Sequence, residues 1–118
     1  MRNHAIALVN RQIVDPATKD ASSWFIDGTF RIVPRQGRVL NLRSSQVLNI
    51  LADFNGSAIV VFTIIMTSRK VGLYRKVLEL LKMKFPDFEP KQLMADYEGS
   101  LRKAIKDAFP RTRLYGCR

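Results

Sequence analysis

Cysteine and histidine occur once each in this chain of 118 residues, as Cys117 and His4. A lone cysteine excludes an internal disulfide, and no Cys/His cluster with zinc spacing exists, so a reducing intracellular compartment is the expectation. His4 has no partner in the sequence, and a reactive-thiol role for Cys117 has nothing to support it. Long apolar runs are also missing. The longest, Ile59–Met66, falls far below the roughly 20 residues a membrane helix needs. "AIALV" at Ala5–Val9 is too short for a secretory core. Acidic residues are scarce as well: 10 Asp+Glu stand against 20 Lys+Arg, giving +10 and a pI near 10.4. Residues 60–118 hold 13 basic and 6 acidic side chains against 7 and 4 in residues 1–59, so the excess is weighted to the second half. That balance points to a polyanionic partner, with nucleic acid first and acidic membrane second.

What is present, 47% hydrophobic residues in 118, suits one compact domain with a modest core. Residues 1–23 have weak periodicity and the turn-rich "DPATKDASS", which predicts a poorly defined N-terminal arm. Trp24–Val33 predicts a first strand, stopped by Pro34 and followed by the basic turn "PRQGR". Asn55-Gly56 between "QVLNILAD" and "IVVFTIIMT" predicts a hairpin of residues 46–53 and 58–67. From Leu73 the period becomes helical, with Tyr74, Val77, Leu78, Leu81 and Phe85 on one face and a stop before Pro86. "PDFEP" reads as a loop and Gln92–Ala95 as a short strand ending in Asp96. Ser100 predicts the N-cap of a second helix with Leu101, Ala104, Ile105, Ala108 and Phe109 inward, and "RTRLYGC" one more strand. The expected order is βββ, α, β, α, β in a mixed sheet, antiparallel first and then returning parallel through helices.

Within the first strand, "WFIDGTFRIV", an aspartate interrupts residues that pack a sheet. A buried carboxylate without a partner costs several kcal/mol, so Asp27 needs a partner, a metal or an exit to solvent. If the fourth strand lies beside the first, Asp27 and Asp96 sit on neighbouring strands near the carboxyl end of the sheet. Two close carboxylates repel, and a divalent cation with oxygen ligands removes that conflict. Gly28, lacking a side chain, would admit a substrate backbone; Asp-Gly is also a common turn dipeptide. The plainer alternatives stay open: a turn or strand-end carboxylate at Asp27, and a helix-dipole role for Asp96 and Glu98. Trp24, Phe25 and Phe30 read as core residues of a sheet buried on both faces. Lys76, Lys82, Lys103 and Lys106 read as solvated helix faces or as phosphate contacts.

Together, "WFIDGTFRIVP", "MTSRKVGLYRKVLELL", "QLMADYEGSLRKAIKDAFP" and "RLYGC" resemble the transposase domain of Mutator-like elements (MULE), from about Trp24 to the last residue. The resemblance implies an α/β, ribonuclease H-like fold over residues 24–118, incomplete at its C-terminus, with residues 1–23 as a separate arm. It implies DDE-type chemistry with Mg²⁺ or Mn²⁺: hydrolysis at the transposon end, then attack of the freed 3′-hydroxyl on target DNA. Asp27 and Asp96 match the first and second catalytic, metal-binding carboxylates, with Glu98 and Gly28 in support. The implied partners are transposon-end and target DNA, with a homo-oligomer of the full-length protein and no membrane; the implied location is the nucleus.

The family's third acid, a glutamate, lies well downstream of the Gly-Cys strand, and the family's Phe-His continuation and upstream zinc-finger module have no counterpart here. Residues 1–23 match nothing in the family, and Arg35–Gln46 is a longer connection than usual. A truncated or decayed copy, or a partial gene model, inactive on its own, is the reading that follows. A non-catalytic basic module holding nucleic acid or a partner is the alternative. A nuclease using Glu98 as third ligand is weaker, because Glu98 is too near Asp96 in sequence to approach from a separate element.

Overall fold

The computed structural model describes residues 5–29, 46–54, 56–66, 71–95 and 99–116. Along them run β1 (Ala5–Val9), α1 (Val14–Asp20), β2 (Ser23–Thr29), β3 (Gln46–Phe54), β4 (Ser57–Met66), α2 (Val71–Lys84), β5 (Gln92–Ala95), α3 (Gly99–Ala108) and β6 (Arg113–Gly116). The strands form one mixed sheet of six in the order β1-β4-β3-β2-β5-β6. β2, β3 and β4 are successively antiparallel, β1 is antiparallel to β4, and β5 and β6 run parallel to β2. The chain is thus an α/β fold, with the predicted order of elements from β2 onward. Phe30–Val33, Pro34 and the "PRQGR" turn lie outside the described residues.

Side-chain alternation decides how the sheet is used. The pairings Trp24↔Ala52, Ile26↔Ile50 and Ile50↔Phe62 put one row of apolar residues on a single face. That row, extended by Leu48, Ile64, Leu93 and Ala95, is buried throughout. It packs in one cluster with Tyr74, Leu78 and Leu81 of α2 and Leu101, Ala104 and Ile105 of α3. The opposite face is not closed in the same way. Phe25, Val47, Leu51, Ile65 and Met94 are half-buried there, and Asp27 and Asp53 are exposed. The expectation of a sheet buried on both faces is therefore corrected. Trp24 is core, as predicted, whereas Phe25 stands on the more open side.

Phe88 joins helices to sheet. Its ring lies 4.7 Å from Trp24, 5.2 Å from Phe62 and 5.3 Å from Phe109, so "PDFEP" is a loop that delivers a plug to the core. Trp24 Nε1 donates to the Ala21 carbonyl at 3.2 Å, which satisfies the polar edge of a buried indole.

Residues 5–20 differ from the poorly defined arm expected of them. β1 pairs along β4 from Ala5↔Met66 to Val9↔Phe62, and α1 buries Val14, Ala17 and Thr18. Pro16 sits in the first helical turn, where its missing N–H breaks no intrahelical bond. The turn-like composition of "DPATKD" is thus the composition of a helix start. Gly56, at φ +83°, closes the β3–β4 hairpin, whose last pair is Phe54↔Ser57. α3 begins one residue before Ser100, so that serine lies in the first turn and not at the cap. Among the described residues no helix is long and apolar enough to cross a membrane.

Candidate functional site

β2 is the strand flanked by β3 on one side and β5 on the other, and Asp27 lies near its carboxyl end. The side chains of Trp24 and Ile26 go to the buried face, so the pleat turns Asp27 to the other. There it is exposed. Exit to solvent resolves the conflict raised by a carboxylate in an apolar strand. Among the described residues the Asp27 carboxylate has no hydrogen bond and no ion pair.

The Asp27-Gly28 dipeptide is not a turn. Asp27 pairs with Asn49 and Gly28 with Leu48 inside the antiparallel ladder. The turn-carboxylate alternative is thereby removed. Half-buried Gly28 occupies a strand interior opposite Leu48, on the face of Trp24 and Ile26 and not on that of Asp27, at the expense of strand propensity.

Two polar residues that the sequence reading did not single out share the rung of Asp27. Asn49 on β3 faces it, and Thr63 on β4 faces Asn49. Thr63 Oγ1 donates to Asn49 Oδ1 at 2.9 Å, and both side chains are half-buried. A β-bulge aligns them: Ile50 pairs with Phe62 but Leu51 with Val60, leaving Val61 as the extra residue. Asn10 steadies the bulge, its backbone N–H donating to the Val61 carbonyl at 2.9 Å and its Nδ2 to the Val60 carbonyl at 3.3 Å.

On the other side of β2, the parallel register runs from Ser23↔Gln92 to Ile26↔Ala95. The next residue of each strand in the sequence is an aspartate, Asp27 and Asp96. Asp96 and Glu98 lie outside the described residues. Among the described residues no group of three or more His, Cys, Asp or Glu is placed to hold a metal. What β2 does supply is an exposed, uncommitted carboxylate, the oxygen-donor chemistry that hard divalent cations favour.

The lysines divide between two roles. Lys76, Lys103 and Lys106 are exposed on α2 and α3, as a solvated or phosphate-contacting face requires. Lys82 is different. Its Nζ donates to the Ala108 carbonyl at 2.6 Å and stands 5.4 Å from the Phe109 ring centre. It therefore caps the C-terminal end of α3, where the helix dipole favours a cation. A cavity of about 170 Å³ lies beside it, lined by Lys82, Glu89, Phe109 and Thr112 among others, and Asp27 is not part of its wall.

No protein-family model matches the chain, and no curated protein matches it.

Proposed function

We propose that this chain is part of a DDE-type DNA transposase, its residues 24–118 forming the first portion of a ribonuclease H-like, MULE-type catalytic domain. The observation that carries the reading is the placement of Asp27: an exposed carboxylate on β2, at the rung beyond Ile26↔Ala95, beside the strand that leads into Asp96. The sheet order supports it. A ribonuclease H-like reading asks for three antiparallel strands, the first of them central, then parallel strands returning through helices; β2 to β6 run in that way.

On this reading Asp27 and Asp96 hold Mg²⁺ or Mn²⁺, with Glu98 in support. Bound there, the cation would activate the attacking oxygen and offset charge on the scissile phosphate. Gly28, a supporting residue by the resemblance, alternates to the buried face beside Leu48, so its missing side chain does not bear on the face where Asp27 stands. The basic excess, with Lys76, Lys103 and Lys106 exposed, supplies phosphate contacts for transposon-end and target DNA. On the same reading the protein acts in the nucleus.

Thermal melts of the wild type and Asp27→Ala, each with and without Mn²⁺, test the reading. At ten times the dissociation constant, a ligand bound only by the folded state contributes about 1.4 kcal/mol, enough to raise Tm by roughly 5 °C in a domain of this size. The wild type should show that rise and Asp27→Ala should not. Equal shifts in both would sink the metal site. The second reading, a basic nucleic-acid-binding module without chemistry, draws on the exposed helix lysines. It predicts salt-dependent binding to DNA that neither Mn²⁺ nor Asp27→Ala alters.

A further inference from the structure

We propose that the outer face of α2 and α3 docks double-stranded DNA by its phosphates, on the side of the sheet away from Asp27 and without reading base sequence. The inference takes only the DNA partner from the proposed function and rests on that part alone. It adds which surface holds the duplex, and that Asp27 takes no part in holding it.

Charge is unevenly distributed over the fold. α2 and α3 carry seven basic and two acidic residues, whereas the other described residues carry five and six. The whole positive balance of the described residues therefore lies on two helices. These sit side by side, joined by the Arg75–Asp107 ion pair at 2.7 Å and by the bond from Lys82 to the Ala108 carbonyl. Their apolar faces, with Tyr74 and Leu78 on α2 and Leu101 and Ile105 on α3, are buried in one cluster with Trp24, Ile26 and Ile50 of the sheet. Lys76, Lys103 and Lys106 are exposed on the outside of that layer. Lys103 and Lys106, three residues apart, are neighbours on one helix face, where like charges repel. A polyanion lying over them relieves that repulsion.

The other side of the sheet has a different character. Asp27 and Asp53 are exposed there, and Arg113 stands at its β6 edge. A helix with its side chains is about 10 Å across, so a helix layer and the sheet together separate the lysines from Asp27. A duplex lying along the lysines does not bring the same phosphates to Asp27.

What the helix face lacks decides how it makes contact. Single strands are held largely by aromatic side chains on which bases stack. Among the described residues Tyr115 is the one aromatic of the exposed large hydrophobics, and it stands on β6 beside Met94. A helix that lies on a membrane turns its apolar face to lipid, and here those faces are in the core. Leu80 and Met83 of α2 are exposed, but α3, which carries Lys103 and Lys106, exposes no large apolar side chain. Lysines that neutralise phosphates attract any duplex, whatever its bases.

The test is fluorescence anisotropy of a labelled mixed-sequence duplex titrated with the whole chain, without divalent metal, over about 50–200 mM salt. One variant combines Lys76→Gln, Lys103→Gln and Lys106→Gln. A matched variant combines Lys19→Gln, Lys91→Gln and Arg113→Gln, which removes the same charge from exposed positions outside the helices. Thermal melts check that both fold. Each phosphate contact contributes about 0.9 to the slope of log K against log salt, so the helix variant should lose about 2–3 of the wild-type slope. The matched variant should lose less than about 1. Asp27→Asn should bind the duplex no more weakly than the wild type. Equal losses in the two triple variants would mean attraction to net charge alone and would overturn the docking face. So would tighter binding of a single strand of the same length, or no binding of the duplex by the wild type. Binding to phosphatidylserine vesicles in place of the duplex would assign the face to a membrane and overturn the DNA partner. If Asp27→Asn abolishes duplex binding, the DNA lies on the Asp27 face and the inference falls while the metal reading stands. Failure of the metal reading shows separately, in the Mn²⁺ melts of Asp27→Ala, and leaves the docking face untouched.

Discussion

Replacing Phe88 with alanine tests how the loop before β5 holds the strand that carries Asp27. The ring is 2% exposed and meets Trp24, Phe62 and Phe109 at centroid separations between 4.7 and 5.3 Å. Removing a buried phenyl ring from such a setting costs about 3–5 kcal/mol, because the lost transfer energy is joined by a cavity that aromatic neighbours on three sides cannot close. Phe88→Leu keeps most of the volume but loses the ring geometry, for about 1–2 kcal/mol. A domain of this length holds roughly 6–18 kcal/mol in total. The alanine variant should therefore fold, but with much of its margin gone. In urea, with a slope near 1.5 kcal/mol/M, its midpoint should fall by about 2–3 M and that of the leucine variant by about 1 M. The slope should stay unchanged. An alanine variant within about 1 kcal/mol of the wild type would refute the reasoning, since it would mean that Phe88 is not a core residue.

Two further substitutions probe separate links. Gly56 has φ +83° with nothing within 4 Å of the place a Cβ would take, so the strain on Gly56→Val is purely conformational. It should destabilise by about 1–2 kcal/mol, and Gly56→Asn by less, because asparagine tolerates this region; equal costs in urea titrations would contradict that. The Arg75–Asp107 ion pair joins α2 to α3 at 2.7 Å, with side chains 44% and 39% exposed. Water screens it. Asp107→Asn should cost under about 1 kcal/mol, and the difference should vanish in 1 M salt. A larger cost that survives salt would show that the pair does more than tie two solvated helix faces.

The sequence was most readable where period and side chemistry agree. Of the inward residues predicted for the two helices all are buried except Phe85, which is half-buried just past the end of α2, and Gln92–Ala95 is β5 as expected. What stayed hidden depended on distant contacts. α1 was obscured by Asp15 and Pro16, which suit a helix start as well as they suit a turn. Phe88 sits between two prolines in a five-residue loop with no period, so only the meeting of Trp24, Phe62 and Phe109 reveals it. The rung of Asn49 and Thr63 shows the limit most clearly. Counting back from the Asn55-Gly56 turn pairs Asn49 with Phe62, and the single extra residue Val61 changes that partner to Thr63. A one-residue slip exchanges the faces of a strand, and the sequence of β4 carries no mark of where its bulge falls.

Folding alone gives no reason for what the middle of the sheet contains. β2 is hydrogen-bonded on both sides, the place where apolar and β-branched residues contribute most, yet it carries aspartate and glycine in succession. Neither is compensated locally. Asp27 has no partner among the described residues, and Gly28 packs no side chain against Leu48, its partner in the ladder. At the exposed position of Asp27, a poor strand former costs stability that valine or threonine would restore. In sequences whose other choices agree with the fold, as the faces of α2 and α3 do here, such a local departure tends to coincide with function. The neighbours on the rung strengthen the point, because Asn49 and Thr63 are polar in otherwise apolar stretches and are bonded to each other instead of to the backbone. On the proposed reading, stability and function make opposite demands on the rung of Asp27. On that reading, substituting Asp27 by a strand-favouring residue should make the protein no less stable while abolishing Mn²⁺ binding, and a variant that loses stability but binds Mn²⁺ as the wild type does would refute it.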